Sequence, residues 1–244
     1  HRVVTVAGGA VRQPRNLLVP LGTPASALVE FCGGLTEESP RLVMGGPMMG
    51  AALPHAQVPT VKGCGGILAL TAAEIMKTLG KPGLAAEGRF FPDTYTYAKG
   101  SSDMAVLRRA LHAMDRRLAD AWAMRAANTP LKSADEALIL ASIVEKETGR
   151  AVDRAQIAGV FSNRLRIGMR LQTDPSVIYG VGASFDGNLR KRDLLEDTPW
   201  NTYTRAGLPV TPIAMPGKAA LMAAVQPDQT KALYFVARGD GTSH

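Results

Sequence analysis

Residues 133–149 read SADEALILASIVEKETG, and the interpretation of this stretch decides the fold of the longer part of the chain. Ser133 followed three positions later by Glu136 is a capping-box signature for a helix start, and Gly149 supplies a stop. Between them residues 137–144 (ALILASIV) are apolar around nearly the whole circumference, Ser142 excepted. A helix without a polar face must be buried on most sides, so this one is expected at the centre of a helical core. Two carboxylates, Glu145 and Glu147, close it. They stand about 200° apart around the axis and so cannot share one site. A carboxyl held against an apolar wall has its charged form disfavoured, which suits a general acid. A solvated helix end, or pairing with Lys146 or Arg150, is the alternative these residues leave open.

Working outward from that helix, the periodicity predicts further helices over 102–126 and 153–166. Asp174-Pro175 reads as the N-cap and first position of another short helix. Residues 185–215, rich in Pro, Gly, Asn and Thr, are expected to form an ordered loop shaping a cleft, and Pro216 starts a helix to about Val225. Leu233–Ala237 (LYFVA) reads as a strand entering a hairpin turn at Arg238-Gly239-Asp240-Gly241. Upstream, 71–80 is a short helical linker and 81–97 loop and strand. The first 70 residues have a different texture. Strands are expected at 3–7, 17–21 and 41–44, with a helix capped by Thr23, opened by Pro24 and stopped at Gly33-Gly34. The fold class expected from this pattern is α+β.

At 244 residues the chain can hold one large domain or two modest ones. Charged residues make up 20% and hydrophobic ones 46%, which excludes long disordered stretches. The net charge of +7 suits an anionic partner. No recognition helix, zinc spacing or aromatic RNA-binding signature accompanies the basic residues, so nucleic acid is not expected. Cys32 and Cys64 are the only cysteines, too few for an iron–sulfur cluster, and read as buried free thiols, with one disulfide as the alternative in an oxidising compartment. The histidines have no metal-ligand spacing; neither metal nor cofactor is expected. No apolar run reaches the ~18 residues that span a bilayer. The start at His1 rather than Met leads us to expect a fragment.

Two resemblances sharpen this reading. The segment VTVAGGAVRQPRNLLVPLGTPASALVEFCGG (4–34), with RLVMGGPMMG (41–50) and VPTVKGCGGILALT (58–71), resembles the C-subunit of the Rnf-type ion-translocating ferredoxin:NAD oxidoreductase. It implies a β-grasp module of the soluble-ligand-binding type over residues 1–75, on the cytoplasmic side of a membrane complex. The cysteine clusters and nucleotide region of that family are not in this sequence, so redox chemistry is not expected. Gly45-Gly46 lack the following Lys-Ser/Thr of a phosphate loop and read as a turn, with Met48 and Met49 as packing residues.

The blocks EGRFFPDTYTY (87–97), ASIVEKETG (141–149), FSNRLRIGMRLQTDPSVIYG (161–180), DGNLRKRDL (186–194), NTYTRAGLPVTPIAMPG (201–217) and ALYFVARGDGTSH (232–244) resemble, in that order, the endolytic murein transglycosylases of the MltG/YceG-like family. The resemblance covers residues 76–244. It implies a mainly helical α+β catalytic domain, truncated here at both ends, that cleaves peptidoglycan glycan strands between N-acetylmuramic acid and N-acetylglucosamine with formation of a 1,6-anhydro ring. By position the family's catalytic glutamate falls on Glu145, with Glu147 as second candidate. Gln172, Thr173, Asp174, Tyr179, Asn201 and Tyr203, together with Glu147, are the implied substrate-binding residues. Arg164, Arg166 and Arg170 are expected to pair with local acids or meet stem-peptide carboxylates. The implied location is the periplasmic face of the bacterial inner membrane, beside the cell-wall synthesis machinery. The full-length family is membrane-anchored, whereas no membrane segment is expected in this chain. A non-catalytic scaffold fragment of the oxidoreductase complex and a hydrolytic glycosidase are the alternatives. The two parts together read as a composite chain.

Overall fold

Alternation of Val4 and Val6 inward with Val3 and Thr5 outward makes the first strand, β1 (Arg2–Ala7). The structure, a computed structural model, describes residues 1–36, 40–45, 51–53, 55–62, 64–97 and 102–235. It divides into two compact units, His1–Ala86 with Thr94–Arg109, and Glu87–Asp93 with Ala110–His244.

In the first unit β1 pairs antiparallel with β2 (Arg15–Val19), in register from Arg2 opposite Val19 to Val6 opposite Arg15. The second strand therefore begins two residues before the expected 17–21, because Arg15 and Asn16 complete the ladder. Helix α1 (Ala25–Phe31) follows, then β3 (Arg41–Met44), β4 (Ala51–Ala52) and β5 (Gly66–Leu70), in a sheet of order β2-β1-β5-β3-β4. The central pair, β1 and β5, is parallel, and Ile67 and Ala69 are buried with Val4, Val6, Leu28 and Val29. Neither β4 nor β5 was expected from the sequence. Gly8 makes the approach to β5 possible: at φ +107 a Cβ there would lie 2.2 Å from the Ala69 carbonyl oxygen. Thr23 is not the cap of α1. Its hydroxyl donates to the Pro20 carbonyl at 2.8 Å, and Pro24 takes the N-cap position. Gly33 and Gly34, both at positive φ, end the helix as expected. Cys32 and Cys64 are buried free thiols, and burial pushes both upward in pKa. The linker helix α2 (Ala72–Thr78) opens with a full capping box between Thr71 and Glu74. Of the Gly-rich stretch after Met44, Gly46–Gly50 lie outside the described residues.

Helix α3 (Asp103–Ala123) leads into the second unit. There α4 (Ala134–Glu147) is the core helix the sequence predicts, with Leu138, Leu140, Ile143 and Val144 fully shielded. Burying each of these contributes roughly 1.5–3 kcal/mol. It packs against α5 (Arg154–Arg166) and a later helix, α8 (Lys218–Val225), with α6 (Asp174–Val181) and α7 (Lys191–Leu195) between them in sequence. Half of the expected capping box forms: the Ser133 hydroxyl accepts from the Glu136 amide, but the Glu136 carboxylate takes the Lys132 amide instead. The stop of α4 is Thr148, buried in extended conformation, rather than Gly149. Residues 81–97 contain no strand.

The expected strand at 233–237 does not form over its described part, 233–235. The reason is visible in α5. Gly159 has no side chain, so residues 228–230 lie directly on the helix, where a Cβ would meet the Asp228 carbonyl at 2.8 Å. The Asn163 amide then donates to the carbonyls of Thr230 and Ala232, and Arg164 Nε to that of Leu233. A side chain of α5 thus takes the Leu233 carbonyl, which a strand partner would have used, and another holds the segment just before it. Val236, Ala237 and the expected hairpin turn lie outside the described residues.

Candidate active site

The last turn of α4 sends its two carboxylates to different places, as their angular separation requires. Glu145 Oε1 accepts from Arg154 Nη2 at 2.9 Å, and its Oε2 accepts from the Gly217 amide at 2.9 Å. Gly217 is the N-cap of α8, so this carboxylate neutralises a guanidinium and satisfies an orphan donor of a helix start. Both oxygens are occupied by structural partners.

Glu147 faces the opposite way, into a cleft of about 220 Å³ that it lines with Phe161, Arg164, Leu171, Gln172, Asp174, Tyr203 and Phe235. One of its oxygens accepts from the Thr173 hydroxyl. Burial pushes its pKa upward, and the neighbouring Asp174 charge adds to this; the Thr173 hydrogen bond and the Arg164 guanidinium act in the other direction. The carboxyl is thereby biased toward its protonated form without being locked in it.

The floor of the cleft is a crossing of two loops. Gln172 donates its amide to the Thr202 carbonyl at 3.1 Å, Thr173 donates to the Thr202 hydroxyl at 3.0 Å, and Ser176 Oγ donates to the Thr173 carbonyl at 2.8 Å. Gln172 is held at φ 50, where it is the one described non-glycine residue in the left-handed region. Arg164 supports the same segment from below. Almost fully buried, it donates through Nη1 to the Leu171 carbonyl at 2.6 Å and through Nε to that of Leu233 at 2.7 Å. Its guanidinium carbon lies 4.9 Å from the Tyr234 ring centroid. The Tyr203 hydroxyl donates to Asp174 Oδ1 at 2.5 Å. Burial, and then that bond, push the phenol well above its ordinary pKa.

Of the residues expected from the sequence, the cleft gathers Glu147, Gln172, Asp174 and Tyr203, with Thr173 touching Glu147 from beneath. Three lie elsewhere. Glu145 is in the α8 junction. Tyr179 packs its ring 5.5 Å from Trp200. Asn201 is buried, its amide donating to the carbonyls of Asp193, Leu194 and Glu196 while its oxygen accepts from the Tyr203 amide. It staples the loop that presents Tyr203. Asp174 opens α6 rather than capping it, because the helix starts one residue early and its carboxylate is taken by Tyr203. The three arginines of the 164–170 block pair with no acid among the described residues: Arg166 and Arg170 donate to Asn163, Asn128 and Tyr203 oxygens, and Arg164 to backbone. Phe161, Leu171 and Phe235 were not anticipated. Phe161 and Arg164 stand three apart on α5 and so share a face, but no pattern in the sequence distinguishes that face from the other side of the helix.

Known proteins share both parts of the chain. The pattern of the YceG-like family matches residues 40–244, and that of the SLBB domain matches residues 3–52. An endolytic murein transglycosylase of Bacillus subtilis is 37% identical over 155 residues, which is 64% of this chain and 42% of that protein. The C-subunit of an ion-translocating oxidoreductase complex of Rhodobacter capsulatus is 58% identical over 73 residues, 30% of this chain and 14% of that protein. The crystal structure of a YceG-like protein from Listeria monocytogenes superposes with a TM-score of 0.57 at 34% identity, over 69% of this chain and 58% of that one. The chain thus joins a segment similar to one protein type to a longer segment similar to another, and spans under half the length of either curated relative.

Proposed function

We propose, since this chain belongs to the YceG-like family, that its second unit is a peptidoglycan lytic transglycosylase in which Glu147 is the acid/base residue. The observation that carries the reading is the contrast between the two carboxylates of α4: Glu147 is turned into a cleft where burial pushes its pKa upward, and Glu145 is spent on Arg154 and the start of α8. The sequence points first to Glu145. The geometry favours Glu147.

In the proposed reaction the Glu147 carboxyl donates its proton to the glycosidic oxygen between N-acetylmuramic acid and N-acetylglucosamine, and the bond from that oxygen to C1 breaks. The resulting carboxylate then takes the proton of the muramic-acid C6 hydroxyl as that oxygen bonds to C1, closing the 1,6-anhydro ring. Glu147 ends as it began, protonated, and no water is consumed. A single acid/base therefore suffices, whereas a hydrolase needs a second carboxylate to activate water or attack. The cleft's other carboxylate, Asp174, is engaged by Tyr203, which favours the lytic route. Arg164 would stabilise the carboxylate form midway through the cycle, and Gln172 and Tyr203 would hydrogen-bond the sugar.

Glycan strands are the proposed substrate, the periplasmic face of the inner membrane the proposed location, and cell-wall synthesis proteins the proposed neighbours. No helix among the described residues is long and apolar enough to cross a membrane. We place the junction between the two parts near residue 75, with residues 1–75 as a β-grasp binding module without chemistry of its own. Digestion of purified peptidoglycan by the parent, Glu147→Gln and Glu145→Gln, followed by mass spectrometry, tests the assignment. Anhydro-ended products from the parent and Glu145→Gln but none from Glu147→Gln are expected. Loss confined to Glu145→Gln would return the role to Glu145, and reducing-end products would make the enzyme a hydrolase.

A further inference from the structure

A second hollow of about 280 Å³ lies in the same unit, walled by the C-terminal half of α6, the turn after it, and α7. It shares a helix face with the cleft. Asp174, in the Glu147 cleft, stands three and seven residues from Val177 and Val181, which line the second hollow. Residues so spaced form one stripe along a helix, and seven residues advance about 10 Å. The two hollows thus follow one another along one side of α6, about two helical turns apart.

The second hollow differs from the cleft in chemistry. Arg190 is paired with Asp186, to which it donates at 2.5 and 3.1 Å, and the Asp193 carboxylate accepts from the Arg190 amide. Two side chains of opposite charge keep open valences. Arg192, its side chain 76% exposed, pairs with adjacent Asp193 through Nε at 3.4 Å, and its Nη atoms have no partner among the described residues. Glu196 has no side-chain partner among the described residues. Thr198 adds a buried hydroxyl that no group among the described residues satisfies. An uncharged N-acetyl sugar calls for neither an open cation nor an open anion; a peptide residue carrying a carboxylate beside an ammonium calls for both.

We infer that this hollow is a subsite for the peptide stem of the substrate, with Arg192 receiving a stem carboxylate and Glu196 the ammonium of a diamino residue. The inference rests on the reading of the Glu147 cleft as the glycan site, from which a peptide branch reaches along α6. Both side chains are exposed on short elements, so Arg192→Gln and Glu196→Gln leave the core untouched.

The test compares cleavage of glycan strands bearing intact stem peptides with cleavage of strands stripped of peptide by an amidase, for parent and both variants. In parallel the free stem peptide, with its diamino residue, is titrated into each protein and followed by NMR. On peptide-bearing strands each variant is expected to raise KM about tenfold with kcat unchanged, the loss of one charge contact. On stripped strands parent and variants should behave alike, and the free peptide should shift amides of 190–198 in the parent but not in Glu196→Gln. Equal kinetics on both substrates, or peptide-induced shifts absent from 190–198, would overturn the subsite. A parent that binds the peptide at 190–198 yet releases no anhydro products would leave the subsite standing and remove the transglycosylase reading instead.

Discussion

On one side of the last turn of α4, Glu145 is caught between a guanidinium and the start of a helix; on the other, Glu147 looks into a cleft beside a buried arginine, a second carboxylate and a tyrosine. The two residues are one Lys apart and chemically identical. What separates them is where two other segments arrive, α8 on the first side and the 171–174 loop on the second. Structural carboxylates are found by counting satisfied oxygens, and candidate acids by counting what keeps a proton on.

The largest effect expected on this contrast is in turnover. Glu147→Gln, which keeps the shape and the Thr173 hydrogen bond but has no proton to give, should reduce anhydro-product formation by about 10²–10⁴-fold. A variant retaining a tenth of parental turnover would break the contrast at its main point. Next comes stability. Glu145→Gln strands Arg154, 14% exposed, and weakens the Gly217 cap, so urea unfolding should register a loss of roughly 1–3 kcal/mol with turnover per folded molecule within about threefold of the parent. A double-mutant cycle with Arg154→Gln sharpens this: the pair should show coupling of roughly 1 kcal/mol or more, and additive losses would mean the ion pair contributes nothing.

A third, smaller effect is the pH dependence of stability. Burial holds the Glu147 pKa above the ordinary carboxyl value of 4.5. The folded state therefore keeps this proton more tightly than the unfolded chain does. Its contribution is fully present below pH 4.5 and is lost as pH rises through the folded value. The Tm of Glu147→Gln relative to the parent should thus move in the variant's favour from acid to neutral pH. A difference constant with pH would contradict it, as would a drift the other way. Smallest is Gln172→Gly, where removing the Cβ at φ 50 offsets the added chain entropy and should change stability by no more than about 1 kcal/mol, in favour of glycine. The same variant should raise KM for glycan, since Gln172 lines the cleft; an unchanged KM would remove its side chain from the substrate's surroundings.

Much of the architecture was legible because it rests on local periodicity. The ALILASIV run, apolar but for Ser142, could only be a core helix, the Val4/Val6 alternation only a half-buried strand, and Gly33-Gly34 only a helix stop. The misreadings have two origins. LYFVA has the composition of a strand, yet Arg164 on α5 takes its Leu233 carbonyl and Asn163 takes that of Ala232 just before it. Strand β5 was missed because a strand buried on both faces lacks the alternation that marks a half-buried one. Thr23 and Asp174 have the chemistry of caps but were drawn to Pro20 and Tyr203. For LYFVA, Thr23 and Asp174 a contact made by the tertiary fold or a neighbouring turn outcompeted the expected local one.

The sequence by itself determined which helices exist in the core, that two carboxylates close the central one, that they face apart, and which family the longer part of the chain resembles. Tertiary structure alone decided which of the two sees the cleft. A helix fixes the angle between Glu145 and Glu147 but not the identity of what lies at each angle; that depends on Arg154 and Gly217 arriving on one flank and Thr173, Arg164 and Tyr203 on the other. The proton affinity of Glu147 follows from the burial and charges those segments supply, from residues as far along the chain as Tyr203.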